Sequence, residues 1–339
     1  MIKSDLGNVY VKTDPKLDFY AIIALHSNPS GPAIGGCRCI EYTSHEEAIY
    51  DALRLAQMMH CKAKVASLKH GGAKAVLIKP KHIKNRQAYF EMFGNFVNEF
   101  EGRYITSVDS GTSPSDMDMV NRTTPYVVGT SAQEKIGGGA SAYTALGVRR
   151  SIQAALKFKL KKDQLTGIHV AIQGAGSVAY FLAKELSLLG AKLTICDINP
   201  QKAQDLQEKL NTSIQVVDPE KIYSIDCDVF APCALGGVLN ASTIPTIKAP
   251  IVVGAANNQL ANPSDGLLLQ DQDILYAPDF VANAGGLIYA AAMYNGDVEH
   301  KICQDTQKIY DTVMNILTMS AHQGLATSEL ANAYANHTA

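Results

Sequence analysis

Residues 168–197 constrain the fold more than any other part of the chain. The segment runs Ile168-His-Val-Ala-Ile-Gln-Gly174-Ala-Gly176-Ser177-Val178-Ala179, continues as a helical stretch to Leu189, and closes on Ala191-Lys-Leu-Thr-Ile-Cys-Asp197. A strand, glycine turn, helix, second strand and terminal acid, in that order, open a doubly wound parallel sheet. Gly174 permits the sharp strand-to-helix turn. Gly176 lets the backbone approach a pyrophosphate, whose charge is met by the helix N-terminal amides around Ser177 and Val178. Ala179 takes the third small position, where helix and strand pack closely. Asp197 stands where a carboxylate accepts hydrogen bonds from both hydroxyls of a ribose and repels a 2′-phosphate, which predicts NAD rather than NADP. The competing reading is a glycine turn without a ligand, and the ordered context argues against it.

Further strands of the same sheet are expected at 229–230, 251–254 and 275–276, with 168–173 and 193–196 already placed. Before residue 130 helices and strands also alternate. Ser44-His-Glu-Glu47 reads as a capping box that opens an amphipathic helix to Lys62. Residues 65–68 and 75–78 read as two short strands joined by the turn-like His70-Gly71-Gly72, followed by a helix at 87–100, a strand at 104–106 and a loop from Asp109 to Ser115. Gly137-Gly138-Gly139 centres a small, flexible stretch taken as an interdomain hinge. The expected fold is α/β with two domains. Residues 1–130 form a mixed α/β substrate-binding and catalytic domain, and residues 131–339 a Rossmann-type dinucleotide-binding domain with C-terminal helices.

With 30 basic and 32 acidic residues the net charge is −2, which gives no general attraction to nucleic acid or to an anionic membrane. A small-molecule partner is expected. Seven scattered cysteines with no CxxC pair suit reduced thiols in the cytoplasm. The N-terminus lacks the basic and apolar segments of a signal peptide, and Asp5 and Asp14 argue against a transit peptide. The longest apolar stretch, 285–294, is shorter than the roughly 18 residues that span a bilayer. Cys37, Cys39, His60, Cys61 and His70 match no closed zinc spacing, so no metal is expected.

The first domain concentrates lysine beside glycine at Lys62, Lys64, Lys69 and Lys74. Most such lysines are solvated charge. Lys74, between Gly71-Gly72 and the apolar run 75–78, sits where desolvation of an ammonium favours base catalysis. Asp109, just past a strand end, is placed to exchange protons with a substrate, or is a simple Asp turn.

The chain resembles the leucine dehydrogenase branch of the Glu/Leu/Phe/Val amino-acid dehydrogenase family. The resemblance is carried by Gly31-Pro-Ala-Ile-Gly-Gly36, residues 46–62, Gly71-Gly-Ala-Lys-Ala-Val-Leu-Ile78 and Tyr104-Ile-Thr-Ser-Val-Asp109-Ser-Gly-Thr112. It continues through 174–179, Ala231-Pro-Cys-Ala-Leu-Gly236, Ala255-Ala-Asn-Asn-Gln259 and Tyr276-Ala-Pro-Asp-Phe-Val-Ala-Asn-Ala-Gly-Gly286. It implies that Lys62 binds the substrate α-carboxylate, that Lys74 activates water, and that Asp109 relays protons to and from the α-nitrogen. Thr144 and Asn283 would hold the nicotinamide amide, with Asn257 by its ribose and Ala234 also at the cofactor. Gly35, Ile34, Met59, Val128, Leu287 and Ala290 would meet the substrate.

None of these pocket residues is charged. Burying a γ-carboxylate there unpaired costs several kcal/mol, which disfavours glutamate. The implied reaction is NAD-dependent, reversible oxidative deamination of leucine, valine or isoleucine to the 2-oxo acid and ammonia. The alternatives are phenylalanine or tryptophan in the same chemistry, since one methylene is worth only about 1–3 kcal/mol, and a non-catalytic NAD-binding protein. The chain departs from the family pattern at Ala73, Val108 and Ser110. It also lacks a proline-containing insertion at 137–142 and a longer C-terminal tail. A homo-oligomer is expected, with a dimer as a candidate in place of the familiar octamer.

Overall fold

A computed structural model describes residues 2–4, 7–27 and 31–337; Asp5, used above, lies outside them. The chain divides into two compact units, Met1–Ala140 with Leu287–Ile302, and Ser141–Gly286 with Cys303–Ala339. The expected boundary at 130/131 therefore differs in two respects: the first unit runs on to Ala140, and residues 287–302 return to it.

The first unit is built on a six-stranded mixed sheet. Its strands are β1 (Ile2–Ser4), β2 (Gly7–Asp14), β3 (Phe19–Ser27), β4 (Ala33–Ile40), β5 (Gly71–Ile78) and β6 (Tyr104–Val108). Their spatial order is β1-β2-β3-β5-β4-β6. The first three strands and β5 pair antiparallel, whereas β4 lies parallel to both β5 and β6. The helix His45–Val65 packs Ala48, Ala52 and Ala56 against Ile22, Ala24 and Val76 on one face. The helices Arg86–Asn98 and Pro114–Val120 cover the other with Phe90, Phe93 and Met117.

Three local expectations are corrected. Residues 65–68 are no strand: the helix runs to Val65, and the Leu68 amide bonds back to the Ala63 carbonyl. Gly71 and Gly72 are no turn but open β5. A Cβ on Gly72 would lie 2.3 Å from the Ala56 carbonyl oxygen and the His60 nitrogen, so glycine is needed there because a helix backbone rests directly on the strand. The loop expected up to Ser115 ends earlier, at Ser113, which caps a helix that starts at Pro114. The capping box at Ser44 is half formed. Ser44 accepts from the Glu47 amide, while the Glu47 carboxylate turns to Thr43.

The second unit holds a six-stranded parallel sheet of β7 (His169–Gln173), β8 (Lys192–Cys196), β9 (Ile214–Val216), β10 (Val229–Pro232), β11 (Ile251–Val252) and β12 (Leu275–Tyr276). Its order, β12-β11-β10-β7-β8-β9, reverses direction between β7 and β10, which is where a doubly wound sheet opens a crevice at its carboxyl ends. Among the described residues no helix is long and apolar enough to cross a membrane.

Candidate active site

Side chains alternate across a sheet, so register decides which groups meet. Cys37 of β4 pairs with Ala75 on one side and Val108 on the other. Lys74, Gly36, Arg38 and Asp109 therefore share the opposite face, the one covered by the helix His45–Val65. Gly36 carries no side chain, and Lys74 and Asp109 join over it in an ion pair. A Cβ at Gly36 would come within 2.8 Å of both the Asp109 Cβ and the Val108 carbonyl oxygen. Neighbouring Gly35 faces the other way, where a Cβ would strike the Ala73 carbonyl; its own carbonyl accepts a hydrogen bond from the Tyr104 hydroxyl at 2.9 Å.

Lys74 is buried at 5% exposure. It is not an isolated desolvated ammonium, because the Asp109 carboxylate sits against it. Burial opposes charge on Asp109, but Lys74 and the Arg38 guanidinium outweigh it and hold the carboxyl down at about 2. The Asp109 backbone amide donates to the Thr112 hydroxyl at 2.9 Å, which fixes the loop after β6. Lys62 lies half-buried in the last turn of the helix that covers this face.

Ile34 pairs with Gly72 and Ile105 two residues before Gly36, hence on the same face and roughly 7 Å along the strand. Around it the structure gathers Ala63, Ile105, Val128, Leu287 and Ala290 into one buried cluster, with Met59 packed on its edge. All five side chains expected to meet a substrate's side chain are thus brought together in one cluster of hydrophobic residues. Leu68, Met293 and Tyr294 pack there too and were not expected. Arg38 was also missed, although period-2 spacing from Gly36 places it on the face of Lys74. Of the departures noted above, Ala73 points into the core on the face away from Lys74, and Val108 packs against the same core.

In the second unit Gly174 adopts φ +104°, a backbone region that L side chains rarely adopt. A Cβ there would lie 2.9 Å from that of Ala234, so the loops after β7 and β10 touch. Space around Gly176 is open, and the helix Ser177–Leu188 has no side chain capping its first amides. Ala179 is buried and Val178 half-buried. Asp197 accepts from the Ala175 amide at 2.8 Å and from the Asn199 amide at 2.9 Å, which leaves a lone pair on each oxygen for a hydroxyl donor. Asn283, buried at 4% exposure, donates to Asn257 Oδ1 at 2.9 Å and to the Ala255 carbonyl at 3.1 Å. Among the described residues its own Oδ1 has no hydrogen-bond partner. Thr144 is half-buried on the helix Gly139–Leu160. An open glycine cradle, bare helix amides, a ribose-height carboxylate and an orphaned amide oxygen fit a dinucleotide with a carboxamide head. Among the described residues no group of three or more His, Cys, Asp or Glu side chains is placed to hold a metal ion.

Comparison with known proteins agrees with both halves. The family model "Glu/Leu/Phe/Val dehydrogenase, dimerisation domain" matches residues 8–126, and "Glutamate/Leucine/Phenylalanine/Valine dehydrogenase" matches residues 194–337. A leucine dehydrogenase of Bacillus cereus is 41% identical over 325 residues, covering 96% of this chain and 88% of the relative. A phenylalanine dehydrogenase of Caldalkalibacillus thermarum is 38% identical over 334 residues, covering 98% and 90%. The crystal structure of L-tryptophan dehydrogenase from Nostoc punctiforme superimposes with a TM-score of 0.84 at 37% identity, covering 98% of this chain and 96% of that one. The two family models and the near full-length relatives show that the chain belongs to the Glu/Leu/Phe/Val dehydrogenase family as an NAD-dependent amino-acid dehydrogenase acting on CH–NH2 donors.

Proposed function

We propose that the substrate is an apolar aliphatic L-amino acid, leucine, valine or isoleucine, deaminated reversibly to its 2-oxo acid and ammonia. The observation that carries this reading is the uncharged cluster of Ile34, Val128, Leu287 and Ala290, one strand pleat away from the Lys74–Asp109 pair. In this reading the first unit handles the amino acid and the second the dinucleotide.

Lys62 holds the α-carboxylate by a charge-assisted hydrogen bond. That contact and the apolar cluster fix two substituents of Cα, and so orient its hydrogen. The hydride acceptor for that hydrogen would be supplied by NAD bound in the second unit. Gly174, Gly176, Ser177 and Val178 would cradle its phosphates, Asp197 its ribose, and Thr144, Ala234, Asn257 and Asn283 its nicotinamide end. Asp109 accepts a proton from the substrate ammonium, freeing the nitrogen lone pair that becomes the C=N bond of the iminium. Lys74 takes a proton from water as the oxygen attacks that carbon. The carbinolamine collapses when Asp109 returns its proton to the nitrogen: the C–N bond breaks to release ammonia, and the hydroxyl proton leaves to solvent as the C=O bond of the 2-oxo acid forms.

Following NAD reduction with a panel of L-amino acids tests the reading. Leucine, valine and isoleucine should give the highest kcat/KM. An aromatic preference would move the assignment to phenylalanine or tryptophan, a reading favoured by the near-equal identity to relatives named for those substrates. Absence of turnover with every amino acid would overturn it. A cytoplasmic homo-oligomer, with a dimer as its smallest form, completes the reading and fits the description of the model that matches residues 8–126.

A further inference from the structure

We propose that Arg38 is a positioning residue for the deamination chemistry: it shares Oδ2 of Asp109 with Lys74 and ties that carboxylate, through Asp51, to the helix His45–Val65. The proposal rests on the roles given above to Lys74 and Asp109.

Arg38 projects from β4 two residues beyond Gly36, on the same face. Its Nε donates to Asp109 Oδ2 at 3.3 Å and its Nη1 to Asp51 Oδ2 at 2.9 Å. Asp51 is in turn held by the Tyr42 hydroxyl at 2.7 Å and by Arg54 Nη2 at 3.2 Å. The Arg38 and Asp51 side chains are only 19% and 15% exposed, so this is not a solvated surface pair. The planar guanidinium presents its donors in a fixed fork, and its two bonds set the angle between strand and helix carboxylates.

The arrangement has a chemical consequence. Lys74 must be a neutral amine before it takes a proton from water, and in that state Asp109 faces an uncharged partner in a buried setting. Arginine does not deprotonate in proteins, so Arg38 keeps one cation on Oδ2 throughout the cycle. The Asp109 charge also reaches the Cys37 thiol and the Tyr104 phenol, both pushed up by burial and neutral. Asp51, Tyr42 and Arg54 face Arg38 from the helix and from the end of β4. Arg38 is therefore the cation on Asp109 that does not take part in proton transfer.

The test is the pH profile of kcat/KM for amino-acid oxidation in R38Q, R38K and D51N, with thermal melts as fold controls. The ascending limb reports proton loss from the Lys74–Asp109 pair. Removing a fixed positive charge makes that loss harder, so in R38Q the limb should move up by about one pH unit. R38K, which keeps the charge, should leave the limb in place and lower kcat alone. D51N removes the negative charge behind Arg38 and should move the limb the other way, to lower pH. An R38Q limb that stays put while kcat falls would reduce Arg38 to a structural role and overturn the proposal. If R38Q does not fold, an unmoved D51N limb overturns it equally. Full activity in Lys74→Ala would instead sink the reading on which the proposal rests. An inactive Lys74→Ala alongside an unmoved limb in R38Q sinks only the role of Arg38.

Discussion

Lys74 and Asp109 form an ion pair across a strand to which neither belongs. Lys74 stands on β5 and Asp109 just beyond β6, and β4 runs between them with Gly36 at the crossing. The ion pair depends on this crossing, because a Cβ at Gly36 would press on the Asp109 Cβ and the Val108 carbonyl oxygen.

Lys74→Ala should reduce turnover by at least about a thousandfold, in the range seen when a general base is removed. Dinucleotide affinity should be unchanged, because the residues assigned to it lie in the second unit. Stopped-flow reduction and a separate titration of NAD binding check the two halves of this expectation; near-normal turnover in the variant would remove Lys74 from the mechanism.

Gly36→Ala should cost stability and activity together. The added Cβ meets the Asp109 Cβ and a backbone oxygen at 2.8 Å, so Asp109 must shift away from Lys74. Overpacking of this kind costs about 1–3 kcal/mol. A variant with wild-type melting temperature and wild-type kcat would show that the crossing tolerates a side chain.

Acid should weaken the fold through Asp109. Its carboxyl lies at about 2 in the folded protein, below the ordinary value of 3.8. The folded state therefore binds fewer protons, and the stabilisation is complete above pH 4 and lost as pH falls towards 2. The linked free energy is about 2 kcal/mol. Urea titrations between pH 5 and pH 2.5 should show a shallower loss in Asp109→Asn than in the parent, and parallel curves would contradict the sign.

Asp197→Ala should narrow the preference for NAD over NADP, since a carboxylate at the ribose repels a 2′-phosphate. It should also weaken binding of both, because the Ala175 amide loses its acceptor and the glycine turn its tether. Comparing kcat/KM with the two cofactors tests this, and an unaltered ratio would take Asp197 out of the ribose site.

Leu287→Ala should enlarge the apolar cluster and raise the ratio of kcat/KM for phenylalanine over leucine by about tenfold, the scale of one or two methylenes in such a pocket. If the ratio falls or stays level, Leu287 does not line the wall that limits side-chain size.

The second unit was the more legible in sequence. Gly174, Gly176, Ala179 and Asp197 act within one βαβ segment, so spacing alone carries their geometry, and the strands read from apolar runs match those observed to within one or two residues at most ends. The short strand β9 was not anticipated from the sequence. In the first unit glycine misled. Gly71 and Gly72 look like a turn in sequence, but they are strand residues whose missing side chains admit the backbone of a helix. Nothing local distinguishes those two uses of glycine.

By itself the sequence determined the parallel sheet, the dinucleotide turn and the residue types of an amino-acid dehydrogenase, because each is written in contiguous residues whose spacing follows from strand and helix periods. Only the tertiary structure decided which of those residues meet. Register across three strands brings Lys74, Arg38 and Asp109 to one face over Gly36, and the return of residues 287–302 to the first unit adds Leu287 and Ala290 to an apolar cluster begun by Ile34. The physical reason is that hydrogen-bond register and long-range return are settled by the packing of the whole unit, and no local stretch of chain contains that information.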